Sequence, residues 1–585
     1  MFSRFSLFAC LIAAAAIGCG RTDPVNRTVL VVLDGGTWNA LTPLLQEGEL
    51  PHIRALMAEG TYGPLRTDPP FSPPSWTSLA TGMTPEHHGI DNFVRRETTV
   101  DDLYELVPIR ADDIEVPRIW NIFSHSGVPV AILRWLFTWP VERVLGVVTS
   151  DHRGLGVDFL RNEDLDGQLR SQYQRRLFID GDARLTLDPS LAWDPARSPQ
   201  EFRERDQQLD EAILDVDRAE QAFEFVRSSY PEIEFLAVAF FWGNQIQHEF
   251  LHYWQAPVTY GSAAEDVERY RHAVPDLYRQ LDRFVGDLRD DPGVAHVILA
   301  SDHGMELIPM GIEISLSVYH LQLRLDELLA DLGYLQWTEN DDTDARSIDF
   351  DRSQAHQVAW RRTESGIGLL RRDRGERRGT IMDAPEAARV RDAIARDLAA
   401  VHFIDDGTPL FSEIAPPDTP WPDLVIGRYA TLTYAELPEL FSRNIKVGDS
   451  VVPCGRYVRF AGRDIRSEHG YDLNPSVPMG KDGILLLSGP SFRDGLRLDR
   501  GSVTAPDLTP TLLHLHGLPV GEDMDGRVLT EAFEPSLLES HPPISIPSYG
   551  AVLSPKEFVD GSAPDRTSDF DRETMERLRA LGYVN

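Results

Sequence analysis

The chain has 585 residues, enough for several cores or for one large, elaborated domain. Its hydrophobic fraction of 42% and charged fraction of 25% are those of an ordinary globular protein. A formal net charge of −35 argues against a nucleic-acid duplex as partner, for which a basic patch is the usual electrostatic footprint.

The first residues, MFSRFSLFACLIAAAAIGCG, combine a positive Arg4 with an apolar run, 5–17, that is short for a membrane span. Ala16-Ile17-Gly18-Cys19 resembles a bacterial lipobox. That resemblance implies export, cleavage before Cys19 and a lipid anchor on its thiol, on the periplasmic side or at the outer membrane of a bacterial envelope. An ordinary secretory signal cut near Ala16 is the alternative. Loss of Cys10 with the signal leaves Cys19 and Cys454, so no disulfide framework is expected. Cys454 reads as a lone core thiol.

Short apolar runs alternate with helical patterns along the chain. Residues 28–33 (TVLVVL) read as the first strand, followed by a helix with Pro51 near its start and Gly60 at its end. A helical stretch at 116–127 precedes a strand at 128–135, and one around 219–229 precedes a strand at 235–242 (FLAVAFFW). A helix around 275–289 leads to the strand 294–300 (VAHVILA), and a late strand at 483–488 is followed by a helix at about 507–516. This order predicts an α/β fold, doubly wound around a mostly parallel sheet, with ligands at the carboxyl ends of the strands. The charge-rich stretch 310–463 reads as an inserted α+β cap. The expected layout is a signal peptide at 1–18, a linker at 19–26, core at 27–309 and 464–538 around that cap, and a tail at 539–585 ending in a short helical pattern.

The residues just past the strand ends carry the chemistry. The first strand runs into Asp34; FLAVAFFWG runs into Asn244 and, four residues on, His248; VAHVILAS runs into Asp302 and His303. Glu468-His469-Gly470 lies in a loop before the late strand. Carboxylates and imidazoles converging on one edge suit zinc or a similar divalent cation. His248 is the expected ligand of the i, i+4 pair His248/His252, because it lies nearer the strand end. His87 and His88 read as structural or supporting groups. In FSPPSWTSLATG, 71–82, a helix starts after a proline-rich turn, which puts Ser72 or Ser75 near a positive helix end while Ser78 and Thr81 fall inside it.

VLDGGTW, LPHIRALMAEG and PPFSPPSWTSLATGMTPEHHGI, with NQIQH, SDHGM and EHGYD later in the same order, resemble type I phosphodiesterases and nucleotide pyrophosphatases of the alkaline phosphatase superfamily. SIDFDRSQAH, GTIMDAPEAARVRDAI and WPDLVI resemble its bacterial and archaeal branch, and the likeness extends over about 27–529. It implies the superfamily's fold and Ser72 as the nucleophile, with Ser75 and Thr77 shaping the turn. It also implies two divalent metal ions, zinc before manganese. One is held by Asp34, Asp302 and His303 together with Ser72; the other by Asn244, His248 and His469. Asn92 falls near a family position that contacts phosphoryl oxygen, one residue short in spacing. Asn244 stands where the family has Asp, and a neutral amide is the weaker ligand.

The function this implies is an exported, metal-dependent phosphodiesterase acting on a nucleotide, lipid or other small phosphoester through a covalent intermediate on Ser72. A phosphomonoesterase of the same superfamily is the first alternative. A sulfatase is the second, disfavoured by Trp76 where sulfatases carry Arg and by Asp-Gly at 34–35 in place of Asp-Asp. A catalytically impaired surface binding lipoprotein is the third, with Asn244 as its supporting feature.

Overall fold

The computed structural model describes residues 26–553 and 574–575, apart from 99–103, 150–202, 259–261, 263, 308–312, 316–320, 339–346, 360–364, 372–381, 417–422, 430, 434–439, 441, 461–465, 468–469, 472–476 and 478. The leader with Cys19, His469, and residues 554–573 and 576–585 of the C-terminal tail therefore lie outside the described residues. Among the described residues no helix is long and apolar enough to cross a membrane.

The core begins with β1 (Arg27–Leu33), α1 (Trp38–Glu47), α2 (Pro51–Ala58), β2 (Gly60–Arg66) and α3 (Ser72–Thr81). It continues through β3 (Val130–Leu133), β4 (Gly146–Thr149), α4 (Arg203–Ser229), β5 (Phe235–Phe240), α5 (Trp242–Gln255), α6 (Ala273–Asp290) and β6 (Val294–Ala300). After the long insertion it resumes with β7 (Asp482–Ser488), β8 (Leu496–Arg497) and α7 (Leu508–Leu515). These strands form one eight-stranded sheet in the order β8-β2-β7-β6-β1-β5-β3-β4. β1 lies at its centre, parallel to β5 on one side and β6 on the other.

The expected doubly wound α/β architecture is present, with three refinements. β7 runs antiparallel to both β6 and β2. Its amino end therefore meets the carboxyl ends of the parallel strands, and the loop before it emerges at their functional edge. Only a helix end is expected at Gly60, and β2 follows there, although Gly60, Gly63 and Pro64 in GTYGPLR are residues that favour turns. The strand ends at 128–135 and 235–242 also contract, to β3 and β5, and Trp242 opens a helix instead of closing a strand.

Both faces of the sheet are buried, as the unbroken apolar runs demand. Val29, Val31 and Leu33 pack with Leu41, Ile53, Phe223, Leu281 and Phe284 on one face. Leu30 and Val32 pack with Trp76, Leu79, Trp120, Leu512 and Leu513 on the other. Each such side chain contributes about 1.5–3 kcal/mol by leaving water. Within the insertion, residues between Leu323 and Val458 form a core of their own. It includes a four-stranded antiparallel sheet and the helix Ala384–Ala399. Cys454 is buried there, and burial pushes its thiol up to about 12, so it is inert as a nucleophile.

His88, His296 and His516 pack against the core, and burial favours their neutral form. His516 packs against Phe123 at a tilt with ring centroids 4.7 Å apart, and burial of the ring pushes it down to about 4. Burial does the same to His296, which meets Ser491 Oγ at 2.9 Å, and to His88, which meets Ser78 Oγ at 3.1 Å. Each ring takes up a proton more readily unfolded than folded between about pH 6.5 and 4. Their contribution to stability is thus complete above pH 6.5 and is lost as pH falls toward 4. At pH 5 the cost is on the order of 2 kcal/mol for each ring. Melting temperature measured from pH 7.5 to 4.5 should fall steeply below 6.5, and His516→Phe should flatten that slope.

Candidate active site

At the carboxyl edge of the sheet, Asp34 follows β1 and Asp302-His303 follow its neighbour β6. Parallel pairing fixes these ends side by side, and Asp34, Asp302 and His303 converge so that one ligand atom from each lies within 4.8 Å of the others. All three are buried, Asp302 and His303 completely. His303 Nε2 is 3.5 Å from Asp34 Oδ1 and 3.4 Å from Asp302 Oδ2.

The fourth member comes from α3. Ser72 Oγ lies 3.3 Å from Asp34 Oδ1 and 3.3 Å from His303 Nε2. The helix begins at Ser72 itself, so Ser75, the sequence's other candidate, falls within its first turn, where its hydroxyl donates to the Pro69 carbonyl. Thr77 donates to the Pro73 carbonyl inside the same helix. Pro73 and Pro74 remove two of the amides that a helix start normally offers, and the Ser75 amide already donates to Phe71. The anion-attracting power expected of this helix end is accordingly small.

α3 is buried along its whole length. Trp76, one turn below Ser72, packs edge-on against Trp135 with centroids 5.0 Å apart and at a tilt against Phe241 at 5.2 Å. Thr509 on α7 donates to the Leu79 carbonyl, and the amides of Asp525 and Gly526 both donate to Gly82 at the helix end. The C-terminal part of the chain thereby fixes where the serine sits.

The arrangement fits a divalent cation. His303 Nδ1 donates to the Gly304 carbonyl at 2.9 Å, which turns Nε2 toward two carboxylates and a hydroxyl oxygen. Ser72 Oγ can donate its one proton to Asp34 Oδ1, and a cation would offset the repulsion among the acceptors that remain. Asp302 Oδ1 accepts from the Gly35 amide at 3.0 Å, whereas Oδ2 accepts no hydrogen bond among the described residues although it is buried. A buried carboxylate oxygen without a donor is costly, and a metal would satisfy it.

Asn244 and His248 lie one turn apart on α5, both buried. Asn244 abuts the Asp34 loop: a Cβ on Gly35 would be 3.0 Å from its Cα. A Cβ on Gly243 would be 2.2 Å from the Asp34 carbonyl oxygen, so glycine alone allows this helix so close to β1. His248 Nδ1 donates to the Val477 carbonyl and the Val477 amide returns a bond to the His248 carbonyl, which leaves Nε2 as the ring's acceptor. The loop before β7 thus touches this helix, while His469 in that loop is outside the described residues. His252 is buried against Tyr253, and burial aided by the Arg205 charge pushes it down to about 3.

Asn92 Oδ1 accepts from the Phe93 amide at 2.7 Å, a local turn contact, and among the described residues no hydrogen bond joins it to the serine cluster. His87 is exposed and bonds Asp525 at 2.8 Å, which with His88 makes the pair structural. The groups that hold the Asp34 loop carry no mark in the sequence. Gln247 donates to the Gly35 carbonyl, Ser301 to the Gly36 carbonyl and Thr37 to the Met305 carbonyl. Gln247 stood inside NQIQH, but its partners are too far along the chain to be read.

Among solved structures the chain is similar to human ectonucleotide pyrophosphatase/phosphodiesterase 5, at 13% identity over 88% of this chain and 99% of that one, with a TM-score of 0.38. It is also similar to phosphonoacetate hydrolase from Sinorhizobium meliloti 1021 in complex with phosphonoacetate, at 13% identity over 83% of this chain and 94% of that one, with a TM-score of 0.39. No curated protein matches it. The family model for type I phosphodiesterase/nucleotide pyrophosphatase matches residues 28–381, more than half of the sequence. With that match, the chain belongs to the type I phosphodiesterase/nucleotide pyrophosphatase family and is a phosphoester hydrolase.

Proposed function

We propose that the protein is an exported, metal-dependent phosphodiesterase that works through a covalent phosphoserine at Ser72. The observation that carries this reading is the serine hydroxyl, buried and 3.3 Å from both Asp34 and His303 at the sheet's carboxyl edge. Asp34, Asp302, His303 and Ser72 would hold one divalent cation, zinc before manganese. Asn244, His248 and His469 would hold a second, and Asn92 would steady a phosphoryl oxygen. When bound, the cations supply Lewis acidity that lowers the serine's pKa and offset phosphoryl charge.

Ser72 Oγ attacks phosphorus, the bond to the leaving oxygen breaks and the hydroxyl proton is passed to that oxygen, giving a phosphoserine ester and an alcohol. Water then attacks the same phosphorus, the P–Oγ bond breaks and Ser72 regains a proton. Asp34 and Asp302 hold the negative side of the site in place, and the buried surroundings of α3 keep Ser72 in one position for both steps. The substrate is a small phosphoester, of nucleotide or lipid type, and segment 310–463, which has its own core, caps the site. A lipid on Cys19 would tether the enzyme to a bacterial envelope membrane; mass analysis of the N-terminal peptide, with Cys19→Ala as control, tests that anchor.

Assays of a chromogenic phosphodiester, a monoester and an aryl sulfate should show preferred turnover of the diester, lost on chelation and restored by zinc or manganese. Ser72→Ala should lower kcat by about a thousandfold or more. Monoester preference would retain the serine chemistry and replace the name, whereas full activity of Ser72→Ala would remove the nucleophile.

Asn244→Asp adds a carboxylate beside the Asp34 loop. It should tighten cation binding by about tenfold, read by competition with a chelator. An unchanged affinity would show that position 244 does not ligate.

A further inference from the structure

We infer that Gln247 is a positioning residue that locks the two halves of the site to one another, so that neither half can shift alone. The inference rests on the metal-dependent reading above and concerns how this chain keeps that site in shape.

Gln247 is fully buried, one residue before His248 on α5, yet its side chain serves a different purpose from its neighbour's. The amide nitrogen donates to the Gly35 carbonyl at 2.8 Å and to the Gly243 carbonyl at 2.9 Å. Gly35 follows Asp34, and Gly243 precedes Asn244. One NH2 group therefore ties the backbone beside one candidate ligand to the backbone beside another. Its two hydrogens are both used, so reversing the amide would set oxygen against two carbonyls. The orientation is fixed by chemistry.

The other end of the amide is held as firmly. Tyr278 on α6 donates its hydroxyl to Gln247 Oε1 at 3.0 Å, and the same hydroxyl accepts from the Thr37 amide at 3.1 Å. Tyr278 is fully buried. The loop from Asp34 to Thr37 is thus gripped at Gly35 by Gln247 and at Thr37 by Tyr278, with the two side chains bonded to each other. A movement of α5 would pull on this loop, and a movement of the loop would pull on α5. Outer partners of metal ligands act in this way, and their loss typically costs about 10–100-fold in metal affinity.

A purely structural role would predict something different: lower stability with cation binding untouched. Asp282 supplies the comparison. It lies on α6 with Tyr278, accepts from the amides of Ile53 and His52, and among the described residues makes no hydrogen bond to the Asp34 loop.

The test is calorimetric titration of the metal-stripped full chain with Zn2+, and then with Mn2+, in wild type, Gln247→Met, Tyr278→Phe and Asp282→Asn, with the melting temperature of each stripped protein. Methionine keeps the volume of glutamine and removes its bonds. Gln247→Met should weaken both binding steps together by about 10–100-fold. Tyr278→Phe should weaken both by less, and Asp282→Asn should lower the melting temperature with both affinities unchanged. If Gln247→Met does not fold, Tyr278→Phe, which loses only a hydroxyl, carries the same comparison. A fall in melting temperature with both affinities intact, or a change in one step alone, overturns the inference. Wild-type protein that binds neither cation overturns the metal reading as well.

Discussion

Two buried carboxylates, at the ends of adjacent parallel strands, set the terms for the whole functional edge. Asp34 and Asp302 are brought together by the pairing of β1 with β6, and the Gly35 amide clasps one to the loop of the other. Negative charge removed from water and concentrated in one place is unfavourable unless something positive accompanies it. Here the companions are an imidazole that turns Nε2 toward them and a serine hydroxyl, neither of which supplies a full positive charge in its neutral state. The surroundings read as the means of holding these groups together despite that cost.

Those means are mostly backbone packing. Gly243 lets α5 run against the Asp34 carbonyl, and the loop before β7 reaches His248 through Val477. α3 adds the serine from the opposite face of the sheet, clamped by the C-terminal residues around Thr509 and Asp525. Three distant parts of the sequence therefore meet at one edge. The two prolines behind Ser72 take away amides that would otherwise receive an anion.

Much of the scaffold was legible because fully buried strands leave unbroken apolar runs: 28–33 and 294–300 fall almost residue for residue on β1 and β6. β2 was hidden by Gly60, Gly63 and Pro64, whose local preference for turns is overridden by pairing with β7. FFW at 240–242 looked like continued strand, since three aromatics carry no mark of where a strand stops and α5 starts. The choice between Ser72 and Ser75 needed either the family likeness or the structure, because both stand within one turn of a helix whose first residue the prolines obscure.

Chemistry-bearing residue types and their order along the chain came from the sequence by itself: Asp34, the Ser72 turn, Asn244 and His248, Asp302-His303, and the family they resemble. Those features are local, set by which side chain follows which strand. Tertiary structure alone decided that β7 is antiparallel, that His303 turns Nε2 toward Asp34 and Asp302, and that Gln247 and Tyr278 close a bonded chain across the Asp34 loop. These depend on contacts between residues tens to hundreds of positions apart, and hydrogen-bond direction across such distances leaves no periodicity or composition to read.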